Sequence, residues 1–221
     1  MSTDRERTIA RAELAQRESK QLDFKREFDT ASNEAWCEVI KDIVAFANSG
    51  GGIILFGLEN NGTDAGINCS SLMEYDIADI TNKIFKYTGN QFADLEIVEV
   101  VRSGRHYPAF LISRSDVPII FTRPGTYDAG GGNQKRAFSQ GTVYFRHGGK
   151  SEPGNQDDLI VWRDRELANL RRSMLQGMRK VVEAPIGHIV SVLPTEMTLG
   201  AHSGTFEARI TDNPDAPAIS I

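Results

Sequence analysis

Residues 34–62 read EAWCEVIKDIVAFANSGGGIILFGLENNG, and this stretch decides the fold of the chain. Its first half predicts a helix with one apolar stripe, because apolar residues recur at helical spacing: Trp36, Ile40, Ile43, Val44 and Ala47. The glycines at 50–52 predict the end of that helix, since glycine adopts the left-handed cap conformation without steric cost. The apolar run 53–56 predicts a strand covered on both faces, and the Asn-Asn-Gly at 60–62 predicts a turn.

The composition of the chain limits its function class. Of the 221 residues, 40% are hydrophobic, which is enough for a sizeable core, and 25% are charged, as in ordinary soluble domains. No apolar run approaches the roughly 20 residues that span a bilayer, and the polar N-terminus lacks a signal-peptide core. We therefore expect a cytoplasmic protein without membrane contact. The net charge of −5 argues against a strongly basic nucleic-acid binder, but an acidic protein can carry a local basic face.

The cysteines and histidines predict neither disulfides nor a zinc site. Cys37 and Cys69 are the only cysteines and lie far apart, and Cys37 falls inside the core helix. The four histidines show no spacing typical of metal ligands.

The segments around the core stretch follow from periodicity. Residues 1–17 predict a flexible or helical lead-in. In residues 22–25, Asp23 and Lys25 alternate with apolar residues, which predicts a strand with both charges on one face. Further predictions are a helix over 72–87 with Ile77, Ile80, Ile84 and Phe85 on one side, a hairpin of strands 95–101 and 107–112, and short strands at 119–121 and 142–145. Residues 123–140 are glycine-rich with few apolar anchors and predict a long mobile loop.

A long helix is predicted over 156–182, begun by the polar residues 155–158. Apolar residues recur along it at close to seven-residue spacing: Leu167, Leu170, Met174, Met178 and Val181. This pattern is typical either of a helix packed on the body or of a homodimeric coiled coil. Residues 184–221 predict strands at 189–193 and 206–210, as the start of a further region that is cut short. The expected class is α/β (α+β): a mixed sheet with packed helices, a hairpin and a long C-terminal helix, divided into segments 1–17, 18–155, 156–183 and 184–221.

Three groups of residues are candidate sites. The glycines at 50–52 suggest a phosphate loop, but such loops run from strand to helix, so a tight turn for close packing explains them better. Glu18 and Asp23, with Glu59 as a third carboxylate, are the oxygen ligands that a hard divalent cation requires, and Lys25 would stabilise a scissile phosphate. The alternative is a charged strand edge that keeps the protein soluble.

The third group lies in a glycine-flanked loop between a strand and a helix. Arg146, His147 and Lys150 in this loop are well placed to grip a phosphodiester. Local positive charge is added by Lys135, Arg136, Arg171 and Arg172. The alternative for each is a solvated charged face.

Three segments together resemble the Schlafen-like AlbA-type domain, the Schlafen AlbA_2 family. They are ESKQLDFK at 18–25, VAFANSGGGIILFGL at 44–58 and YFRHGGKS at 144–151, and their order and spacing also match. The resemblance implies an α/β domain that binds DNA or RNA. Some relatives cleave structured RNA with three carboxylates and a divalent metal, Mg²⁺ or Mn²⁺. By position, two of those carboxylates correspond to Glu18 and Asp23, and the third falls at Asn60, which brings no charge. Many bacterial relatives are labelled ATP-binding, but nothing in these residues supports that activity.

Three functions are therefore weighed. The first is a nucleic-acid-binding module of a larger bacterial-type regulatory or defence protein, with these contacts: Lys25, Arg26, Asn48, Gly50, Gly51, Gly52, Arg146, His147, Lys150 and Ser151. The second is a metal-dependent ribonuclease with Glu18, Asp23 and Lys25 as catalytic residues, and with Glu18, Asp23, Glu59 and Asn60 as metal ligands. The third is a dimerisation or scaffold domain that works through the 156–182 helix. The first two require that the early acidic strand, the glycine bend and the late basic loop meet in space.

Overall fold

The computed structural model describes residues 4–182, 189–194 and 206–211, with side chains described as far as residue 176. Helices and strands follow in this order: α1 (Asp4–Leu14), β1 (Leu22–Lys25), α2 (Asn33–Ser49), β2 (Gly52–Phe56), a 3₁₀ turn (Ser70–Glu74), α3 (Ile77–Thr88), β3 (Leu95–Arg102), β4 (Arg105–Ile112), β5 (Gly125–Asp128), β6 (Gln134–Phe138), β7 (Tyr144–His147), β8 (Lys150–Pro153), α4 (Gln156–Val182), β9 (Ile189–Pro194) and β10 (Phe206–Thr211). The chain forms two compact units, Met1–Asp158 and Leu159–Ile221. None of the helices described has the length and apolar character needed to cross a membrane. The expected α+β class is confirmed.

A four-stranded sheet in the order β1-β2-β4-β3 forms the centre of the first unit. β1 runs parallel to β2, and the other neighbours are antiparallel. Every residue of β2 is buried, because apolar clusters cover both faces of the sheet. One cluster is formed with α2 and the other includes Ala12 of α1, so the prediction of a doubly covered strand is confirmed. The lead-in is helical from Asp4, since α1 packs on this second face.

Local chemistry fixes both ends of α2. Ser32 caps its first turn by accepting a hydrogen bond from the Ala35 N–H at 3.2 Å. Gly50 ends it in the left-handed conformation, with φ at 107°. A Cβ at position 52 would overlap the ring of Phe46 and lie 2.7 Å from the Gln21 carbonyl oxygen, so the strand can approach the helix and β1 only with glycine there. The glycine run is therefore a tight turn built for close packing.

The second predicted helix is shorter than expected. It begins at Ile77 instead of residue 72, because Asp76 caps it by accepting from the Ala78 N–H at 2.8 Å, and a 3₁₀ turn precedes it. Ile80 and Ile84 are buried as predicted, whereas Ile77 and Phe85 are partly exposed.

The prediction of a loop over 123–140 is wrong. β5 and β6 pair there as an antiparallel hairpin whose anchor is Phe138, stacked on Phe121 at 3.8 Å between ring centroids. The predicted strand at 119–121 is a single bridge from Ile120 to Val143. The strand predicted at 142–145 lies two residues later, as β7, and it pairs with β8.

The predicted helix over 156–182 and the predicted strands at 189–193 and 206–210 are confirmed. Asn155 begins α4 by accepting hydrogen bonds from the backbone N–H groups of Asp157 and Asp158, at 2.8 and 3.2 Å. β9 and β10 form an antiparallel pair. The side chains of Met178 and Val181 lie outside the described part.

Candidate nucleic-acid interface

The three segments that the sequence singles out meet at one place in the first unit. The backbone N–H of Arg146 on β7 donates to the Ser49 Oγ at the end of α2, at 2.7 Å. The Arg146 guanidinium Nη2 lies 3.0 Å from the Asp23 Oδ1 on β1. The N–H of Ile53, just after the glycine bend, donates to the Gln21 carbonyl at 3.0 Å. The early strand, the glycine bend and the late basic loop therefore meet in space, as the first two hypotheses require.

Arg146 lies at the centre of this meeting point and is only 1% exposed. Its guanidinium packs over the ring of Phe46, with the Cζ 4.4 Å from the ring centroid. Its Nη1 donates to the Ser151 Oγ at 3.2 Å, within the β7–β8 hairpin. The role of this side chain is therefore to connect the hairpin to α2 and β1, because a buried guanidinium cannot reach a phosphate at the surface.

Two carboxylates and two cations neutralise one another here. Lys25 Nζ lies 2.9 Å from the Asp23 Oδ2 and 2.6 Å from the Asp42 Oδ2. Asp42 also accepts from the Ser151 hydroxyl at 2.6 Å and lies 3.8 Å from the Arg146 Nη1. We call Asp23, Lys25, Asp42 and Arg146 the charged quartet. Burial lowers the pKa of Lys25, but Asp42 and Asp23 outweigh it, so the net pKa is raised and the ammonium stays charged.

Sequence reasoning missed Asp42, which is 5% exposed. The signal was present in the spacing, because positions 42, 46 and 49 lie along one side of α2. Asp42, Phe46 and Ser49 all contact Arg146 or its hairpin. Asp42 is a carboxylate on the apolar face of α2, so it needs a buried partner. That partner is far away in the sequence.

The other predicted contact residues divide into buried and exposed groups. Asn48 is fully buried, and its side chain bonds to the backbone of Ile119 and Tyr144. It therefore connects α2 to the loop at Ile119 and to β7. Gly51 and Gly52 are also buried, whereas Gly50 is partly exposed.

His147 has two acidic partners. Its Nδ1 lies 3.0 Å from the Glu152 Oε2, and its Nε2 lies 2.8 Å from the Asp158 Oδ1. The hydrogen bonds to Asp158 and Glu152 raise the pKa of His147. It therefore ties the β7–β8 hairpin to the start of α4.

Lys20, Lys25 and Lys150 have solvent access, and we call them the lysine rim. Lys25 belongs to the charged quartet, Lys20 lies three positions before Asp23 in the chain, and Lys150 is the neighbour of Ser151. Lys20 and Lys150 are exposed, and the Lys25 side chain is 30% exposed. Arg26 is exposed as well but lies 3.6 Å from the Glu59 carboxylate. Lys135 and Arg136 are exposed on β6, which packs elsewhere on α2, and Arg171 and Arg172 belong to the second unit.

Comparison with known proteins identifies the family of this chain. The family described as Schlafen, AlbA_2 matches residues 18–155, more than half of the chain. The chain belongs to the Schlafen AlbA_2 family. Membership indicates a nucleic-acid-binding type of domain. The solved structure of the DIP2311 protein from Corynebacterium diphtheriae is similar, with 18% identity and a TM-score of 0.47 over 72% of this chain and 28% of that chain. This chain thus spans under a third of that protein's length, and no curated protein matches it significantly.

The residues of this Schlafen AlbA_2 domain do not fit the divalent metal that the family resemblance implies. Among the described residues, no group of three or more His, Cys, Asp or Glu is arranged to hold a metal ion. Asp23 already lies against two cations, and Glu59 lies beside Arg26. An added dication would face the charges of Lys25 and Arg146 directly. Two unit charges about 4 Å apart interact by about 4 kcal/mol at an effective dielectric of about 20.

Glu18 is the remaining carboxylate beside the quartet. Its Oε1 accepts from the Phe24 N–H at 3.3 Å, and burial together with the Asp23 charge raises its pKa. A Cβ at Gly149 would lie 2.9 Å from the Glu18 Oε2, so the β7–β8 turn passes directly over this side chain. Glu18 and Asp23 are thus neighbours, as predicted, but they are not joined by Glu59 or Asn60 into one ligand set. No step of nuclease chemistry follows from this arrangement.

Proposed function

We propose that this Schlafen AlbA_2 domain binds the phosphate backbone of DNA or RNA through the lysine rim. The observation that carries the proposal is the convergence of β1, the glycine bend and the β7–β8 turn on the charged quartet. Family membership supports the same class of ligand. The domain would serve as the nucleic-acid-binding part of a larger bacterial-type regulatory or defence protein.

The quartet explains how an acidic chain offers a basic surface. Asp23 and Asp42 are satisfied by Lys25 and Arg146, so their charges do not repel a polyanion. Neither Lys20 nor Lys150 has an ion-pair partner among the described residues. A phosphate can therefore approach their ammonium groups without displacing an existing partner, which favours binding.

The lysine rim provides point charges, and it lacks a side chain that can form paired hydrogen bonds to a base edge. Lysine contacts phosphates as a compact cation, whereas bidentate recognition of bases in duplex DNA uses arginine and amide side chains. The one arginine at the centre is buried and occupied. We therefore expect binding that depends strongly on salt and weakly on sequence.

The test is fluorescence anisotropy with labelled single- and double-stranded DNA and RNA over a series of salt concentrations. Lys20→Ala combined with Lys150→Ala removes two rim charges. The slope of log K against log salt is expected to fall by about 1.4–1.8, since each phosphate contact contributes about 0.7–0.9. Lys83→Ala combined with Lys86→Ala is the charge-matched control, because both lysines belong to α3, where their ammonium groups lie over the Trp36 and Tyr87 rings.

The control variant is expected to retain the slope and affinity of the unmodified chain. The proposal fails if no oligonucleotide binds at low salt. It also fails if the rim double variant and the double variant of Lys83 and Lys86 weaken binding equally, because the rim lysines would then contribute only general positive charge.

We also propose that α4 mediates homodimerisation. In the second unit, Leu167, Leu170 and Met174 are 42%, 51% and 60% exposed, and their spacing follows the seven-residue repeat of a coiled coil. A second copy of the chain presents the same apolar stripe, so two α4 helices can cover each other's exposed apolar residues. Sedimentation equilibrium of the unmodified chain is expected to show a dimer that Leu170→Glu converts to monomer. A monomer at high protein concentration would contradict this proposal.

A further inference from the structure

A second basic site lies on α1, which precedes the residues matched by the family. A cavity of about 310 Å³ separates α1 from the glycine bend. Arg5, Arg7 and Arg11 line it from the helix, and Gln21, Gly51 and Ser113 line it from the edge of the sheet. Its volume lies at the lower end of the range for small-molecule sites, about 300–1,000 Å³.

The ion pairs and the hydrogen bond that these three arginines form are weak. Arg5 Nε lies 2.9 Å from Glu96, and Arg7 Nη1 lies 3.1 Å from Asp4. Arg11 Nη1 donates to the Gln21 Oε1 at 3.1 Å. The Glu96 and Asp4 side chains are 52% and 99% exposed, and such exposed ion pairs contribute only about 0–1 kcal/mol. Since each guanidinium has five N–H donors, most donors remain for an incoming anion.

The charge of the lining favours an anion. Three arginines against the carboxylates of Asp4 and Glu96 leave a formal charge of +1 in a chain whose net charge is −5. Guanidinium groups bind phosphate through paired hydrogen bonds that are stronger than neutral ones. The glycine amides contribute little, because the Gly51 N–H already donates to the Phe46 carbonyl at 2.8 Å.

We propose that this arginine cavity binds a terminal phosphate group, from either a free nucleotide or the 5′ end of a nucleic acid. The ligand would exchange for the carboxylate partners of Arg5 and Arg7 and take a further hydrogen bond from Arg11. The inference does not rest on the lysine rim. α1 packs on the face of the sheet opposite α2. The two sites can be tested separately, because none of the rim lysines lines the cavity.

The test uses the unmodified chain at low salt without added metal. Isothermal titration calorimetry measures inorganic phosphate and ATP, and anisotropy compares 5′-phosphorylated with 5′-hydroxyl oligonucleotides. Arg7→Gln combined with Arg11→Gln is expected to weaken phosphate-ligand binding at least about tenfold. Both side chains are on the exposed surface of α1, so the fold should persist, as a thermal melt will check. Arg123→Gln is the control at an exposed arginine that does not line the cavity.

The outcomes distinguish a free nucleotide from the 5′ end of a nucleic acid as the source of the phosphate. ATP binding that falls in the double variant but not in Arg123→Gln supports the free nucleotide as source. A preference for the 5′-phosphorylated oligonucleotide that disappears in the double variant supports the nucleic-acid end. Glu96→Gln removes the competing carboxylate and is expected to tighten binding, so weaker binding in that variant would overturn the assignment.

The inference is overturned if the unmodified chain binds neither phosphate nor ATP and shows no 5′-phosphate preference. It is also overturned if the arginine double variant behaves like Arg123→Gln. Lys20→Ala with Lys150→Ala should leave ATP binding unchanged, which separates failure of this site from failure of the lysine rim.

Discussion

Replacing Asp42 by asparagine removes one buried charge and almost no volume. The carboxylate lies 2.6 Å from the Lys25 ammonium, 2.6 Å from the Ser151 hydroxyl and 3.8 Å from the Arg146 guanidinium. An asparagine oxygen can still accept from Ser151, but its NH2 group then faces the Lys25 ammonium, so the change removes the charge and the hydrogen bond from Lys25 together. The quartet then holds two cations against the single carboxylate of Asp23, in a place where Arg146 is 1% exposed.

The expected loss follows from the burial of these groups. Removing one partner of a buried ion pair costs about 3–5 kcal/mol. Lys25 keeps Asp23 and its side chain is 30% exposed, so water and the second carboxylate compensate in part. We therefore expect Asp42→Asn to lower the free energy of unfolding by about 3 kcal/mol, the low end of that range. This corresponds to a fall in Tm of about 6–12 °C for a domain of this size.

Urea denaturation followed by tryptophan fluorescence measures the effect on the first unit. The chain has two tryptophans, so Trp162→Phe as background leaves the buried Trp36 of α2 as the only reporter. Asp116→Asn is the control, because that side chain is 52% exposed beside Arg114 and should shift stability by less than about 0.5 kcal/mol. Equal effects of Asp42→Asn and Asp116→Asn would refute the stabilising role of the quartet.

Arg146→Lys keeps the positive charge but loses the planar fork that reaches two carboxylates, so it should destabilise the fold by about 1–3 kcal/mol in the same assay, and a loss below about 0.5 kcal/mol would contradict this. The pKa of His147 is raised chiefly by Asp158, so its stabilisation is complete below its unfolded pKa near 6.5 and is lost as pH rises through the folded pKa. The free energy of unfolding of the unmodified chain should therefore exceed that of His147→Gln by more at about pH 5.5 than at about pH 8.5. An equal difference at the two pH values would disprove the linkage. Manganese should neither raise Tm nor produce cleavage of structured RNA, whereas cleavage that is abolished by Asp23→Asn would establish the metal site after all.

The parts of the fold that could be predicted are those with strong local signals. β2 was recognised because an unbroken apolar run follows a helix and a glycine turn. The β5–β6 hairpin could not be predicted, because the contacts that hold it in place are made with residues outside the hairpin. Phe138 packs on Phe121 and Tyr87, and nothing within residues 123–140 alone reveals those partners.

In the candidate site, too, local patterns could be predicted and contacts between distant parts of the sequence could not. The alternation in β1 predicted that Asp23 and Lys25 share a face, and their ion pair agrees with this. The burial of Arg146 was not predicted, because a basic residue in a glycine-flanked loop normally faces solvent. Its carboxylate partner Asp23 is separated from it by 123 residues of sequence, so only the folded chain brings the charges together.

The most direct test of the central claim is NMR titration of the isotope-labelled chain with an oligonucleotide at low salt. If nucleic acid binds where β1, the glycine bend and the β7–β8 turn converge, the largest amide shifts will cluster at Lys20, Gly149 and Lys150. The amides of α3 will not move, and rising salt will reverse the shifts. Shifts confined to other surfaces, or a spectrum unchanged by oligonucleotide, would contradict the account.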